Sequence, residues 1–293
     1  MQRVDLDGVT VESVLERSGP RFKPRELLPT LSPERFALHR PWLEPDLYEP
    51  VQGLLSLDRQ SFVIRTPRHT IMVDTCVGAD KERSNPRWHH LQSPWEANFA
   101  ALGLKPEDID IVFCTHLHGD HIGWNTRLAN GKWVPTFPNA RYLLGRIEYN
   151  HARRELEKQP DPDGPLLEDS VFPVVEAGQA VFVDAGYEIE PGFRLDLTAG
   201  HTPGHLCLDI RAGRHAVFCG DLMHHPVQVR EPQCSSRFCL DPRQSAATRR
   251  DFLSRYCDTG TFVVPAHFGR GTVGRVREAG RGFDFDFLQA RPT

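Results

Sequence analysis

The stretch THLHGDHIGWN, residues 115–125, places three histidines and an aspartate within six positions. It directly follows DIVFC (110–114), a short apolar run with strand character. Where a strand ends, the chain can turn sharply and aim alternating side chains at one point. His116 and His118, two apart, could clasp one ion. Asp120 and His121 lie past Gly119, which relaxes the turn and redirects the chain toward a second ion. Imidazole nitrogen and carboxylate oxygen are the donors that borderline divalent metals take. HxH alone reads as a solvated polar loop, but HxHxDH behind an apolar strand reads as half of a metal site. The other half must lie elsewhere in the chain.

Three further segments carry a His or Asp at a strand end. TAGHTPGH (198–205) follows FRLDLT (193–198) and offers His201 and His205. FCGD (218–221) closes HAVFC with Asp221, and VVPAH (263–267) closes the last strong strand with His267. Each is weak evidence singly, but together they fall where a converging site requires them.

The rest of the chain supplies a frame for such a site. Nine β-rich runs, SFVIRT (61–66) to TFVVP (261–265), are bounded by Gly, Pro, Asp or Asn. Ser93-Pro94-Trp95-Glu96 and Asp241-Pro242-Arg243-Gln244 each read as an N-cap followed by a helix, and a charged helix is expected from Arg146 to about Lys158. Many strands with interspersed helices indicate a layered fold with helices packed over sheets. Residues 1–45 are rich in Pro and Arg with weak periodicity, and read as an arm or lid segment before a catalytic domain at 46–293.

With 293 residues, 39% hydrophobic and 25% charged, the chain can bury a large core. Its net charge of −4 gives no electrostatic reason for a nucleic-acid partner. No apolar run approaches a membrane span, and the first residues lack the basic-then-apolar pattern of a secretory signal, so a cytoplasmic protein with a small-molecule substrate is expected. The seven cysteines are odd in number and form no CxxC pair. Cys234 and Cys239 are near enough in sequence to pair, which a reducing compartment disfavours.

THLHGDH, HTPGH, the GD of FCGD and the late PAH together resemble the metallo-β-lactamase superfamily of dinuclear metallohydrolases. IMVDT (71–75), LGLKPEDIDIVFCTHLHGDH (102–121) and FPNARYLL (137–144) extend the similarity over roughly three quarters of the chain. The resemblance implies an α/β (α+β) fold, the four-layer αββα sandwich, with metals at one edge of the sheets. It also implies that His116, His118 and His205 hold a first metal, that Asp120, His121 and His267 hold a second, and that Asp221 bridges them. His201 then falls to a supporting role, and Asp74 to an outer or structural one. Zn is the expected metal, with Mn, Fe and Co compatible. Two such ions, about 3.5–4 Å apart, activate water without a serine or cysteine nucleophile. Asp120 and Asp221 are the expected catalytic carboxylates, Asp120 as orienter or proton shuttle on resemblance alone.

GWNT (123–126) and GDLMHHPVQ (220–228) look most like the lactonase and organophosphate-hydrolase branch, of which methyl parathion hydrolase is one member. The expected reaction is hydrolysis of a lactone, such as an acyl-homoserine lactone, or a related ester. Phosphotriester hydrolysis, thioester hydrolysis as in glyoxalase II, and a persulfide dioxygenase with a single iron are the alternatives, and a homodimer is the assembly to test. Trp124, His224 and His225 are candidate pocket residues. A packed loop explains the two histidines equally well.

Overall fold

A computed structural model describes residues 3–269, 271–280 and 282–288. The chain forms two compact units: residues up to 17 with 59–187, and residues 18–58 with those from 188 onward.

The first unit is built on a seven-stranded sheet ordered Arg3–Asp5, Thr10–Arg17, Arg59–Arg65, Thr70–Val73, Ile111–Cys114, Arg141–Gly145 and Ala180–Val183. The first four strands pair antiparallel, and from Thr70–Val73 onward every pair is parallel. A parallel strand covered on both faces needs a nearly continuous apolar run, and Ile111–Cys114 is buried at all four positions. Ile71 pairs with Ile111 and Val73 with Phe113, so Thr70–Val73 and Ile111–Cys114 end together. Asp74 and Thr115 therefore leave the sheet side by side at its carboxyl edge, where open α/β sheets place their ligands.

The segment expected as an arm or lid at residues 1–45 is instead divided between sheet and helix. Thr10–Arg17 pairs along its length with Arg59–Arg65, while Pro33–Leu43 is a helix of the second unit. Buried charge disguised the strand. Glu12 and Glu16 are 8% and 1% exposed, yet each meets an arginine of the neighbouring strand, Arg65 and Arg59 respectively. Glu16 also accepts hydrogen bonds from the backbone of Val77 and Gly78. A hydropathy pattern cannot register such pairing.

The second unit carries another seven-stranded sheet, ordered Glu188–Glu190, Phe193–Leu197, Leu206–Ile210, Ala216–Gly220, Phe262–Pro265, Gly274–Ala279 and Gly282–Phe287. Its one parallel pair is Ala216–Gly220 with Phe262–Pro265, in register at Gly220 and Pro265. Asp221 and His267 thus emerge at the same end. The antiparallel neighbour Leu206–Ile210 begins there, directly after His205. The helix Pro242–Tyr256 packs its Phe252, Leu253 and Tyr256 into this unit's core. As its sequence predicts, the Asp241 side chain caps it, accepting from the Arg243 and Gln244 amides.

Candidate metal centre

In the first unit, Asp74 organises the HxHxDH turn. Its backbone is left-handed, with φ at 54°, a conformation Asp tolerates better than most residues. One carboxylate oxygen accepts from the Thr115 backbone at 2.8 Å, and the other faces His121 Nδ1 at 2.8 Å. A carboxylate can only accept, so His121 carries its proton on Nδ1 and presents Nε2 as the ligating lone pair. The Thr115 hydroxyl donates to Asp74 and lies 3.0 Å from His116 Nδ1. Its proton is thereby committed, so His116 Nδ1–H donates to the hydroxyl and again leaves Nε2 for a metal. One carboxylate thus sets two imidazole tautomers, directly and through a hydroxyl, which is how ligand histidines are oriented.

The rings of His116 and His121 lie with centroids 4.0 Å apart, and those of His116 and His118 at 4.6 Å. Asp120 places a carboxylate oxygen 3.8 Å from His121 Nε2. Between the first two histidines, the Leu117 amide donates to Glu148, a carboxylate only 3% exposed on an otherwise charged helix. Sequence reading missed Glu148, because an acid inside RIEYNHARRELEK gives no sign of pointing inward.

In the second unit the Asp221 carboxylate is the hub. His267 Nε2 lies 3.0 Å from Oδ1, while His201 Nε2 and His224 Nε2 lie 3.3 and 3.2 Å from Oδ2. His267 Nδ1–H donates to the Asp58 carbonyl at 2.9 Å, so Nε2 is the nitrogen turned toward Asp221.

His205 has a different task from the one expected. Its Nε2 accepts the Asp221 backbone N–H at 3.1 Å, which obliges Nδ1–H to donate to the Thr198 hydroxyl at 2.8 Å. The lone pair that a metal needs is occupied in holding Asp221's main chain. Where His205 was expected to ligate and His201 to support, the structure instead turns His201 Nε2 to the Asp221 carboxylate and His205 Nε2 to the Asp221 backbone. Spacing in GHTPGH cannot separate the two.

Two of the three expected pocket residues belong to the interior. Trp124 is 4% exposed and stacks on Trp95 at 4.8 Å within the first unit's core. His225 is fully buried. Its Nε2–H donates to the Leu47 carbonyl and its Nδ1 accepts from the Val227 amide, while burial pushes its pKa down to about 4. It is a neutral structural group. His224 does stand at the Asp221 carboxylate, and burial holds it below the ordinary histidine range.

The donor chemistry fits divalent metal within each unit. Ligand atoms of His116 and His118 lie within 4.8 Å of one another, as do those of Asp120 and His121, and those of His201 and Asp221. These are nitrogen and oxygen donors, with His116 and His121 turned Nε2 forward, an arrangement that suits Zn and its neighbours.

Comparison with known proteins agrees with the fold and the motifs. Residues 57–267 match the metallo-beta-lactamase superfamily, and the chain belongs to it. Its fold class is that superfamily's, with mixed sheets packed by helices. An N-acyl homoserine lactonase of Bacillus cereus is 31% identical over 175 residues, covering 53% of this chain and 59% of the relative. Another, from Bacillus sp, is 31% identical over 107 residues, covering 36% and 35%. The chain thus spans from about a third to three fifths of the length of these two relatives. Among solved structures, the hydrolase AbOPH of the beta lactamase superfamily aligns with a TM-score of 0.83 at 20% identity, covering 99% of this chain and 98% of that one. AidC, a dizinc quorum-quenching lactonase solved with N-hexanoyl-L-homoserine product, aligns at 0.79 with 18% identity over 99% and 98%. No helix among the described residues is long and apolar enough to cross a membrane.

Proposed function

We propose that the chain is a dinuclear metal-dependent hydrolase acting on lactones, with His116, His118, Asp120, His121, His201, Asp221 and His267 as its metal ligands. The observation that carries this reading is the Asp221 carboxylate met by the Nε2 atoms of His201 and His267, at 3.3 and 3.0 Å. A buried acid so surrounded matches a ligand set rather than a simple ion pair. Membership of the superfamily and the lactonase relatives support the same reading. When bound, two divalent ions lower the pKa of water from about 15.7 to near 7 and polarise a scissile carbonyl.

The chain's own residues do the rest. Asp74 and the Asp58 carbonyl hold His121 and His267 with Nε2 forward. Asp120 lies part-exposed beside His121, and its role in this reading is to orient the attacking water and carry its proton toward the leaving alkoxide. His224, buried and neutral beside Asp221, donates a hydrogen bond to that carboxylate and limits its mobility.

The test is a turnover screen of metal-replete protein against acyl-homoserine and other lactones, aryl esters, phosphotriesters, thioesters and a β-lactam. Acyl-homoserine lactones are expected to turn over fastest. Lactones untouched while phosphotriesters or thioesters react would overturn the substrate assignment and leave the hydrolase assignment standing.

A further inference from the structure

Each ligand histidine of this kind needs a partner for its other ring nitrogen, ordinarily a carboxylate, a carbonyl or water. His121 uses Asp74, and His267 uses the Asp58 carbonyl. At His201 Nδ1 stands the thiol sulfur of Cys239, at 3.6 Å.

The thiol is held as firmly as the ring it faces. Leu240 N–H donates to the His201 carbonyl at 2.9 Å and Asp241 N–H to the Gly200 carbonyl at 3.0 Å, so the backbone after Cys239 is tied to the backbone of the histidine. A side chain at Gly200 would meet the Ser245 backbone nitrogen at 2.3 Å, so only glycine allows this approach. Cys239 S–H donates to the Ser245 hydroxyl at 3.3 Å, and that hydroxyl in turn accepts from Arg249 at 2.9 Å. Arg249 is wholly buried and fixed by the Leu222 and Pro232 carbonyls. With its proton directed at Ser245, the sulfur turns a lone pair toward His201 Nδ1–H. In the same turn the Ser236 hydroxyl contacts both Cys239 Sγ, at 3.6 Å, and His224 Nε2, at 3.2 Å.

We propose that Cys239 is a positioning residue whose thiol accepts the Nδ1 proton of His201, fixing its tautomer and aiming Nε2 at the metal. This rests on the reading of His201 as a ligand. A neutral thiol is a weaker acceptor than a carboxylate, so the ion held through His201 is the more easily removed of the two.

The experiment pairs Zn titration of metal-free protein against a chromophoric chelator with proton–nitrogen correlation spectra of the histidine side chains. Zn-loaded native protein is expected to show His201 as the Nδ1–H tautomer, and the titration two Zn affinities, one weaker. Cys239→Ala should lose that tautomer signature and weaken one Zn affinity by roughly tenfold or more. Cys239→Ser, which keeps an acceptor, should stay within about threefold of native by the same reasoning. A folded Cys239→Ala with native affinity and an unchanged His201 signature overturns the proposal, as does equal loss in both variants, which would point to packing. Should Cys239→Ala not fold, Zn bound to His201 through Nδ1 in the loaded native protein overturns it equally. His201→Ala separates the two levels: if it still binds two Zn, the ligand reading fails, and if it loses one while Cys239→Ala does not, only the thiol's role fails.

Discussion

At the residue scale, a proton's position decides whether a histidine can ligate. Asp74 illustrates the consequence, because it orients His121 directly and His116 through the Thr115 hydroxyl. Asp74→Asn keeps the volume but replaces an acceptor oxygen with a donor amide. It is expected to weaken metal binding by roughly 10–100-fold, read by chelator competition, with the fold retained by circular dichroism. His201 and His205 provide the sharper contrast. His201→Ala should lose bound metal and turnover together. His205→Gln, whose longer side chain carries its amide oxygen to the Nε2 position and can still accept from the Asp221 backbone, should retain metal, and metal analysis of both purified variants checks this. The opposite order would restore the reading that GHTPGH suggests from its sequence.

At the scale of elements, close backbone approaches and buried polar groups hold the turns in place. Gly123 donates its N–H to the Cys76 carbonyl, and a Cβ there would lie 1.8 Å from the Val77 carbonyl oxygen. Gly123→Ala must therefore push two loops apart, at a cost of about 1–3 kcal/mol or more, visible as a lower midpoint in thermal unfolding of the metal-free protein. The IGWN end of the opening motif is thus a packing requirement, with Trp124 in the core, and carries little information on substrate. Nearby, Arg83 makes a bidentate pair with Asp169, while Lys81 donates to the Thr126 hydroxyl and the Asp169 carbonyl and lies 3.6 Å over the Trp133 ring. Burial lowers the Lys81 pKa from 10.5 to about 7 despite the Asp169 charge. Between these values the unfolded chain binds the extra proton. Stability should therefore rise with pH across that window, by at most about 1.4 kcal/mol per unit from this group, and its cost is fully present below pH 7. Urea unfolding from pH 6.5 to 10 should show the slope in the native chain, and Lys81→Met should flatten it.

At the scale of the whole molecule, the sequence exposes what lies at strand ends and conceals what depends on distant contacts. The apolar runs before Asp74, His116, Asp221 and His267 announce both the strand and the side chain that leaves it, so the His/Asp motifs and nine of the fourteen strands in the two seven-stranded sheets could be read directly. Residues 3–17 could not, because Glu12 and Glu16 are neutralised by arginines some 40 to 50 positions away. Glu148 and Cys239 were hidden for the same reason, since each contacts a His-bearing turn at least thirty residues distant. What distinguishes His205 from His201 in the structure is a single backbone N–H, that of Asp221.

The most direct test of the account is metal content and acyl-homoserine lactone turnover measured on the same preparation. The account predicts two divalent ions per chain, loss of both ions and of hydrolysis on chelation, and recovery of both when Zn or Mn is restored. A single iron per chain with oxygen-dependent turnover of a persulfide, or full lactone hydrolysis by the metal-free protein, would contradict it.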